Sequence, residues 1–300
     1  LSDWTDRVGW ELLPIYRAME KNLFSGDYVQ ADETPIRYLD PDLPGKSHQG
    51  YLWAYSRPGS DVIFDWQISR STEAALAKLK GFKGWLQSDG YAVYERIAAD
   101  AEGIRLVACW AHARRKFHEA LEETPKKAAW FLKEIGLLYQ LERQLREARA
   151  GPEVRMAQRK EKCPKILRRI HRAARWFQRK ALPQSQLGKA LGYAMGLWEA
   201  LCSYLEDGRL EIDNNLLENA IRPTAIGKKN WLFVGHPDAG WKSAVIYSIL
   251  GSCRRAGANP FEYLVDIFTR LPNMKASQVR DLLPSRWVEL RAAKSIQAAA

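Results

Sequence analysis

The sequence predicts a mixed α/β fold: three antiparallel strands, then parallel strands, with a large helical insertion. Three features of the chain predict it. β-rich runs cluster after a short helical lead-in, helix and strand patterns then alternate, and from Ala111 to about Leu205 no strand pattern appears. Residues 1–25 read as helix, with Trp10, Leu13, Tyr16 and Met19 at helical spacing. Tyr28 to Leu39 is a β-like run, and Asp40 to Gly50 is punctuated by Pro and Gly. Tyr51 to Ser56 makes a second run, and Arg57-Pro58-Gly59-Ser60 turns into a third, Val62 to Ile68. Short connections between such runs imply antiparallel pairing.

Ser71 can cap a helix reaching about Lys80, with Glu73 favourably placed in its first turn. Trp85 to Ser88 reads as a short strand ending at Asp89-Gly90, Tyr91 to Ala99 as helix, and Ile104 to Trp110 as strand. The insertion that follows is rich in Leu, Ala, Arg, Glu and Lys, with breaks expected at Gly151-Pro152, Pro164 and Pro183. Beyond it, a short helix containing Glu218 is expected to stop at Pro223, with Lys228-Lys229-Asn230 as a turn. Two more helices span Ala239–Ala256, closed by Gly257, and Pro260–Leu271. The domain reading is a lead-in at 1–25, a first core part at 26–110, a basic insertion at 111–205, the remaining core at 206–257, and a helical tail at 258–300.

Length and composition bound the function. The 300 residues, 46% hydrophobic and 27% charged, are enough for a large core and exclude wholesale disorder. No apolar run approaches the ~20 residues of a membrane span, and no leader pattern is present, so a cytoplasmic location is expected. Opening on Leu1 rather than Met suggests a fragment of a longer protein. The net charge of +11 is concentrated: Arg105 to Lys180 holds 21 Lys and Arg against eight Glu and no Asp. Such a block is the footprint of a polyanion partner, most often nucleic acid, or else a solvated helical face. Cys109, Cys163, Cys202 and Cys253 form no C-x-x-C pair and read as reduced, mostly buried thiols.

Three acids stand out by position: Asp32 within the first strand, Asp89 at the end of the fourth, and Glu218 on the helix after the insertion. If the first and fourth strands are neighbours, the two Asp would meet where ligand sites form in α/β sheets. Three converging carboxylates need a counter-charge, and oxygen donors suit Mg²⁺ or Mn²⁺. Two such ions could activate and stabilise the oxygens of a phosphodiester undergoing displacement. Plainer readings stay open: Asp89-Gly90 as a mere turn, Glu218 closing an Asn215-x-x-Glu218 capping arrangement, or Glu33 acting in place of Asp32.

Five ordered strings are similar to one family. They are Ala31-Asp32-Glu33-Thr34-Pro35, Ser88-Asp89-Gly90-Tyr91, Cys109-Trp110-Ala111-His112-Ala113-Arg114-Arg115-Lys116-Phe117, Asn214-Asn215-Leu216-Leu217-Glu218-Asn219-Ala220-Ile221-Arg222-Pro223 and Gly227-Lys228-Lys229-Asn230-Trp231-Leu232-Phe233. With Leu282-Leu283-Pro284-Ser285-Arg286-Trp287, the chain from about residue 25 to 290 resembles the transposases of the insertion-sequence sixty-six family. Asn219 and Lys228 stand where Arg is common in that family, which touches phosphate contacts rather than the acids.

The resemblance implies an RNase H-like fold and a DDE triad of Asp32, Asp89 and Glu218. These acids would hold two Mg²⁺ or Mn²⁺ ions for cleavage of transposon ends and transfer of the 3′-hydroxyl to target DNA. It also implies a homo-oligomer on paired ends and accessory element-encoded proteins. The alternatives are a general RNase H-like nuclease and an inactive DNA-binding remnant; a paired-carboxylate glycosidase would leave the basic block without a reason. Arg114, Arg115, Lys116, Lys228 and Lys229 are candidate DNA contacts. Cys109 and His112 form a C-x-x-H pair, structural or accessory, since two ligands alone do not make a zinc site. Trp231 and Trp241 are either core residues or platforms for an unpaired base.

Overall fold

Period-two alternation and turn chemistry set the strands, and helical periodicity sets nearly everything after them. In the computed structural model, which describes residues 2–90 and 92–299, α1 (Ser2–Phe24) precedes β1 (Tyr28–Leu39), β2 (Ser47–Ser56) and β3 (Val62–Gln67). Then come α2 (Thr72–Lys78), β4 (Gly84–Ser88), α3 (Ala92–Asp100) and β5 (Ile104–Ala108). Helices α4 (Trp110–Glu119), α5 (Pro125–Glu147), α6 (Pro152–Gln178), α7 (Gln186–Gly196) and α8 (Trp198–Cys202) follow without an intervening strand. The order ends with α9 (Asn215–Trp231), β6 (Phe233–Val234), α10 (Gly240–Ala256), α11 (Pro260–Arg270) and α12 (Pro284–Ala299). Among the described residues, no helix is long and apolar enough to cross a membrane.

The chain folds as two compact units. One comprises Leu1–Gly84, Ala99–Ile104 and Leu216–Ala300; the other comprises Trp85–Ala98 and Arg105–Asn215. In the first, β1 pairs antiparallel with β2 from Gln30↔Ser56 to Leu39↔Ser47, and β2 pairs antiparallel with β3. The two-residue β6 joins β1 in parallel at Arg37↔Phe233 and Tyr38↔Val234, which makes the sheet mixed. Ile36, Leu52, Ala54, Val62 and Phe64 present one apolar face, and Leu217, Ile221 and Ala244 from α9 and α10 bury against it.

α10 also runs along β3, whose outer rim needs partners for its amides. Ser252 Oγ accepts the Val62 N–H at 2.9 Å and Ser248 Oγ accepts the Phe64 N–H at 2.7 Å. Both serines are wholly buried. Ser248→Ala orphans the Phe64 amide, and thermal unfolding is expected to show a loss of about 1–3 kcal/mol. The tail is tied to the same region: Asp61 accepts from Ser285 N at 3.3 Å and Ser285 Oγ at 3.1 Å, at the start of α12.

The second unit is the helical insertion together with β4, β5 and most of α3, and here β4 and β5 are neighbours. Phe117 of α4 stacks on Phe131 of α5, centroids 4.4 Å apart, and Phe177 of α6 meets Phe131 edge-on. Arg159 of α6 is fully buried and forks onto Glu142 of α5 at 2.7 and 2.8 Å.

Two expected breaks are absent. α9 continues through Pro223 to Trp231, taking Lys228, Lys229 and Asn230 into the helix, and α6 runs unbroken through Pro164. A proline removes one hydrogen bond and frees the carbonyl four residues back. Those carbonyls belong to Asn219 and Lys160, both exposed, so water can take their place. Packing holds the helix on either side: Ile221 and Thr224 flank Pro223, and Cys163 and Leu167 flank Pro164, all four buried.

Candidate functional site

Register separates the two acids of β1 onto opposite faces. Side chains alternate along a strand, so Asp32, Thr34 and Ile36 share one face and Glu33 points to the other. Ile36 packs with Leu217 and Ile221, so the Asp32 face is the one that α9 covers. Lys228 of α9 reinforces this placement, donating to Thr34 Oγ1 at 3.1 Å and to the Pro35 carbonyl at 2.9 Å. Burial, followed by repulsion from Lys229, holds the Lys228 ammonium below its ordinary pKa. Two of its three N–H donors are thus engaged by β1, whereas Lys229 is exposed. Glu33, on the opposite face, is held by Arg70, whose Nε donates at 2.9 Å and whose Nη2 makes a further, closer contact.

Glu218 lies in the first turn of α9, half-buried, beside the wholly buried Leu217 that anchors this turn to the sheet. A carboxylate at a helix N-terminus is favoured by the backbone dipole. Asn215 is the first helical residue rather than the cap; its N–H and Nδ2 donate to Asp213 at 3.1 and 2.9 Å. Asp213 therefore closes this end. Its charge also bears on Tyr139 of α5, whose phenol is pushed far up by burial first and by the Asp213 carboxylate next.

In the second unit, Asp89 follows the last residue of β4 and is half-buried. Gly90 has φ +83°, and a Cβ there would collide with Leu197 Cδ1. Tyr193 of α7 donates its hydroxyl to the Asp89 carbonyl, so the helical insertion fixes the backbone that carries this acid. Burial first, then the neighbouring Cys109 and Asp89, raise the Tyr193 phenol well above its usual range, keeping it a donor.

The segment leading to α9 is stitched down in the same unit. Gln87 Nε2 donates to the Glu211 carbonyl at 2.8 Å, and Trp110 N donates to the Ile212 carbonyl at 3.1 Å. Asn214 N donates to Cys109 Sγ at 3.3 Å. Cys109 is fully buried at the N-cap of α4, so its thiol has a structural task. His112 is half-buried on the next turn, Arg114 and Arg115 are exposed, and Lys116 Nζ lies 5.1 Å from the Tyr193 ring centroid.

A family model described as "Transposase IS66 family" matches residues 1–242, and one described as "IS66 C-terminal element" matches residues 248–285. The chain belongs to the IS66 transposase family. Among curated relatives of this IS66 chain is the uncharacterized protein y4jD of Sinorhizobium fredii, 31% identical over 96% of this chain and 59% of the relative. The uncharacterized protein y4qI of the same organism is 31% identical over 95% of this chain and 55% of the relative. The chain thus spans a little over half the length of these relatives. No solved structure matches it.

The IS66 chain uses residues that its sequence did not single out. Tyr193 and Arg70 contact the residues that carry the candidate acids, yet neither lies beside a distinctive charge pattern, and Thr34, though next to Asp32-Glu33, was given no role of its own. The register of β1 against β2 was the missing information for Thr34 and Arg70. Trp231 packs against the apolar sheet face, and Trp241 meets Trp10 edge-on at 4.8 Å, which are packing roles.

Proposed function

We propose that this chain is the catalytic region of a DDE-type DNA transposase with an RNase H-like core, in which Asp32, Asp89 and Glu218 serve one metal-dependent site. The observation that carries this reading is the family match across nearly the whole chain, in whose span all three acids fall. The placement of Asp32 on the face covered by the Glu218 helix supports it, as does the Arg70 clamp that commits Glu33 elsewhere. Three carboxylates offer only hard oxygen donors, a set that fits Mg²⁺ or Mn²⁺. Two such ions would supply Lewis-acid activation of the attacking oxygen and charge stabilisation of the leaving one.

The reaction proceeds in two displacements. Water attacks a phosphodiester at the transposon end, and the 3′-oxygen leaves as a hydroxyl. That hydroxyl then attacks a target phosphodiester and displaces the target's own 3′-oxygen. No side-chain nucleophile is required. Arg114, Arg115, Lys116 and Lys229 bind DNA phosphates, and Lys228 holds β1 against α9 so that Asp32 and Glu218 keep their setting. Assembly as a homo-oligomer on paired ends, with accessory proteins, belongs to the same reading.

The decisive test supplies a pre-cut transposon end with a free 3′-hydroxyl, a target duplex and Mg²⁺. Joining by the parent and none by Asp32→Asn or Glu218→Gln is the expected result. Cutting without joining would make the protein a nuclease, and neither activity would make it a binding remnant. Tyr193 is a positioning residue in this scheme. Tyr193→Phe is expected to slow cleavage about three- to ten-fold, the loss of one hydrogen bond. The Mg²⁺ concentration giving half-maximal rate should rise while the melting temperature stays nearly constant.

A further inference from the structure

The arginines of α6 and its C-cap, Arg179, separate into two populations. Arg155, Arg159 and Arg169 are paired with Glu142, Glu211 or Glu134. Arg168, Arg172, Arg175 and Arg179 are exposed and face no carboxylate among the described residues. Their spacings of four, three and four place them on one helical stripe about 16 Å long. The buried seam of this helix, Cys163, Leu167, Ile170 and Ala174, is a different stripe, so packing does not explain them. Like charges three and four residues apart repel.

Shape and aromatic chemistry accompany the charge. Arg172 and Trp176 form a ridge between two grooves of about 670 and 690 Å³, and neither groove is lined by an Asp or Glu. Trp176 is 57% exposed, with Lys180 Nζ 3.8 Å from its ring centroid, and Trp130 stands across the second groove at 36% exposure. Large indoles left in water among unanswered cations indicate a polyanion that also offers flat apolar faces. Duplex DNA does so through its phosphates and deoxyribose rings, and the arginine fork suits phosphate oxygens.

We propose that this face of α6 is a DNA-docking surface of the helical insertion, built from residues other than the acids, with Arg172, Arg175 and Arg179 on backbone phosphates and Trp176 against the sugars. It rests on the reading that DNA is the partner and is independent of which residues catalyse.

The test uses the full chain with metal chelated and a fluorescein-labelled duplex of arbitrary sequence, titrated by anisotropy across a salt series. The combined variant Arg172→Gln, Arg175→Gln, Arg179→Gln is expected to bind at least about ten-fold more weakly, with the salt slope reduced by about 2.7 for three lost phosphates. Trp176→Ala should weaken binding without altering the slope. Lys160→Gln, Lys162→Gln, Lys165→Gln removes equal charge from the earlier part of the same helix and should change affinity less than about three-fold, the scatter of a distant contact. Circular dichroism confirms that each variant keeps its helices. Parental affinity and slope in the arginine variant would overturn the proposal, as would an equal loss in the lysine variant. A face that bound only an acidic protein would leave duplex affinity unmoved in both, and so would also refute it. Because no cleavage is read, failure of the acid triad leaves this result standing, and the reverse also holds.

Discussion

Asp89→Asn is expected to abolish strand cleavage while leaving DNA binding within a few-fold of the parent. The exchange is nearly isosteric but removes the negative charge and one hard oxygen donor from the proposed site. A loss of about 4 kcal/mol or more in transition-state stabilisation corresponds to a rate reduction of about 10³-fold or greater. The fold should be untouched, because the half-buried side chain is not what Tyr193 grips; that bond goes to the Asp89 carbonyl. Gel separation of a labelled transposon-end duplex, alongside anisotropy on the same DNA, measures both quantities. Cleavage persisting in this variant would strike Asp89 from the mechanism.

The second large effect concerns stability. Arg159→Met removes the guanidinium that grips Glu142 at 2.7 and 2.8 Å and also donates to the carbonyls of Tyr204 at 2.9 Å and Asp207 at 3.2 Å. Among the described residues, Glu142 is then left buried with Arg155, 3.3 Å away, as its cation partner. Breaking a buried pair from one side costs about 3–5 kcal/mol, enough to lower the melting temperature of the helical unit by about 10 °C. Adding Glu142→Leu should restore part of the loss, since the stranded carboxylate is then gone as well. Calorimetry on the single and double variants decides: a double variant no better than the single would mean that lost packing, not the uncompensated charge, dominates.

Much of the architecture was legible in the residues themselves. β1 has the bounds its pattern predicts, Tyr28 to Leu39, and α10 begins one residue later than expected and ends at Ala256, where Gly257 adopts φ +73°. The mixed α/β class holds, and the insertion is helical throughout. The misses have physical causes. Proline penalties are local, whereas apolar anchors on both sides of Pro164 and Pro223 act along the whole helix and win. The basic block concealed two opposite fates, because sequence counts an arginine sealed against Glu142 the same as one facing water. The faces taken by Asp32 and Glu33 needed strand parity, and β1 is buried on both faces near its start, so alternation there gives no sequence signal. Trp85–Ala98 could not be read as belonging with the insertion, since neither its composition nor its pattern marks the boundary.

The two serine hydroxyls of α10 that satisfy β3 give the C-terminal part of the chain a protective duty. A shortened version ending ahead of Gly240 would bare the backbone of Val62 and Phe64 along an open rim, where a neighbouring molecule's extended segment could zip on. Expression of such truncations should therefore yield sticky, self-associating material.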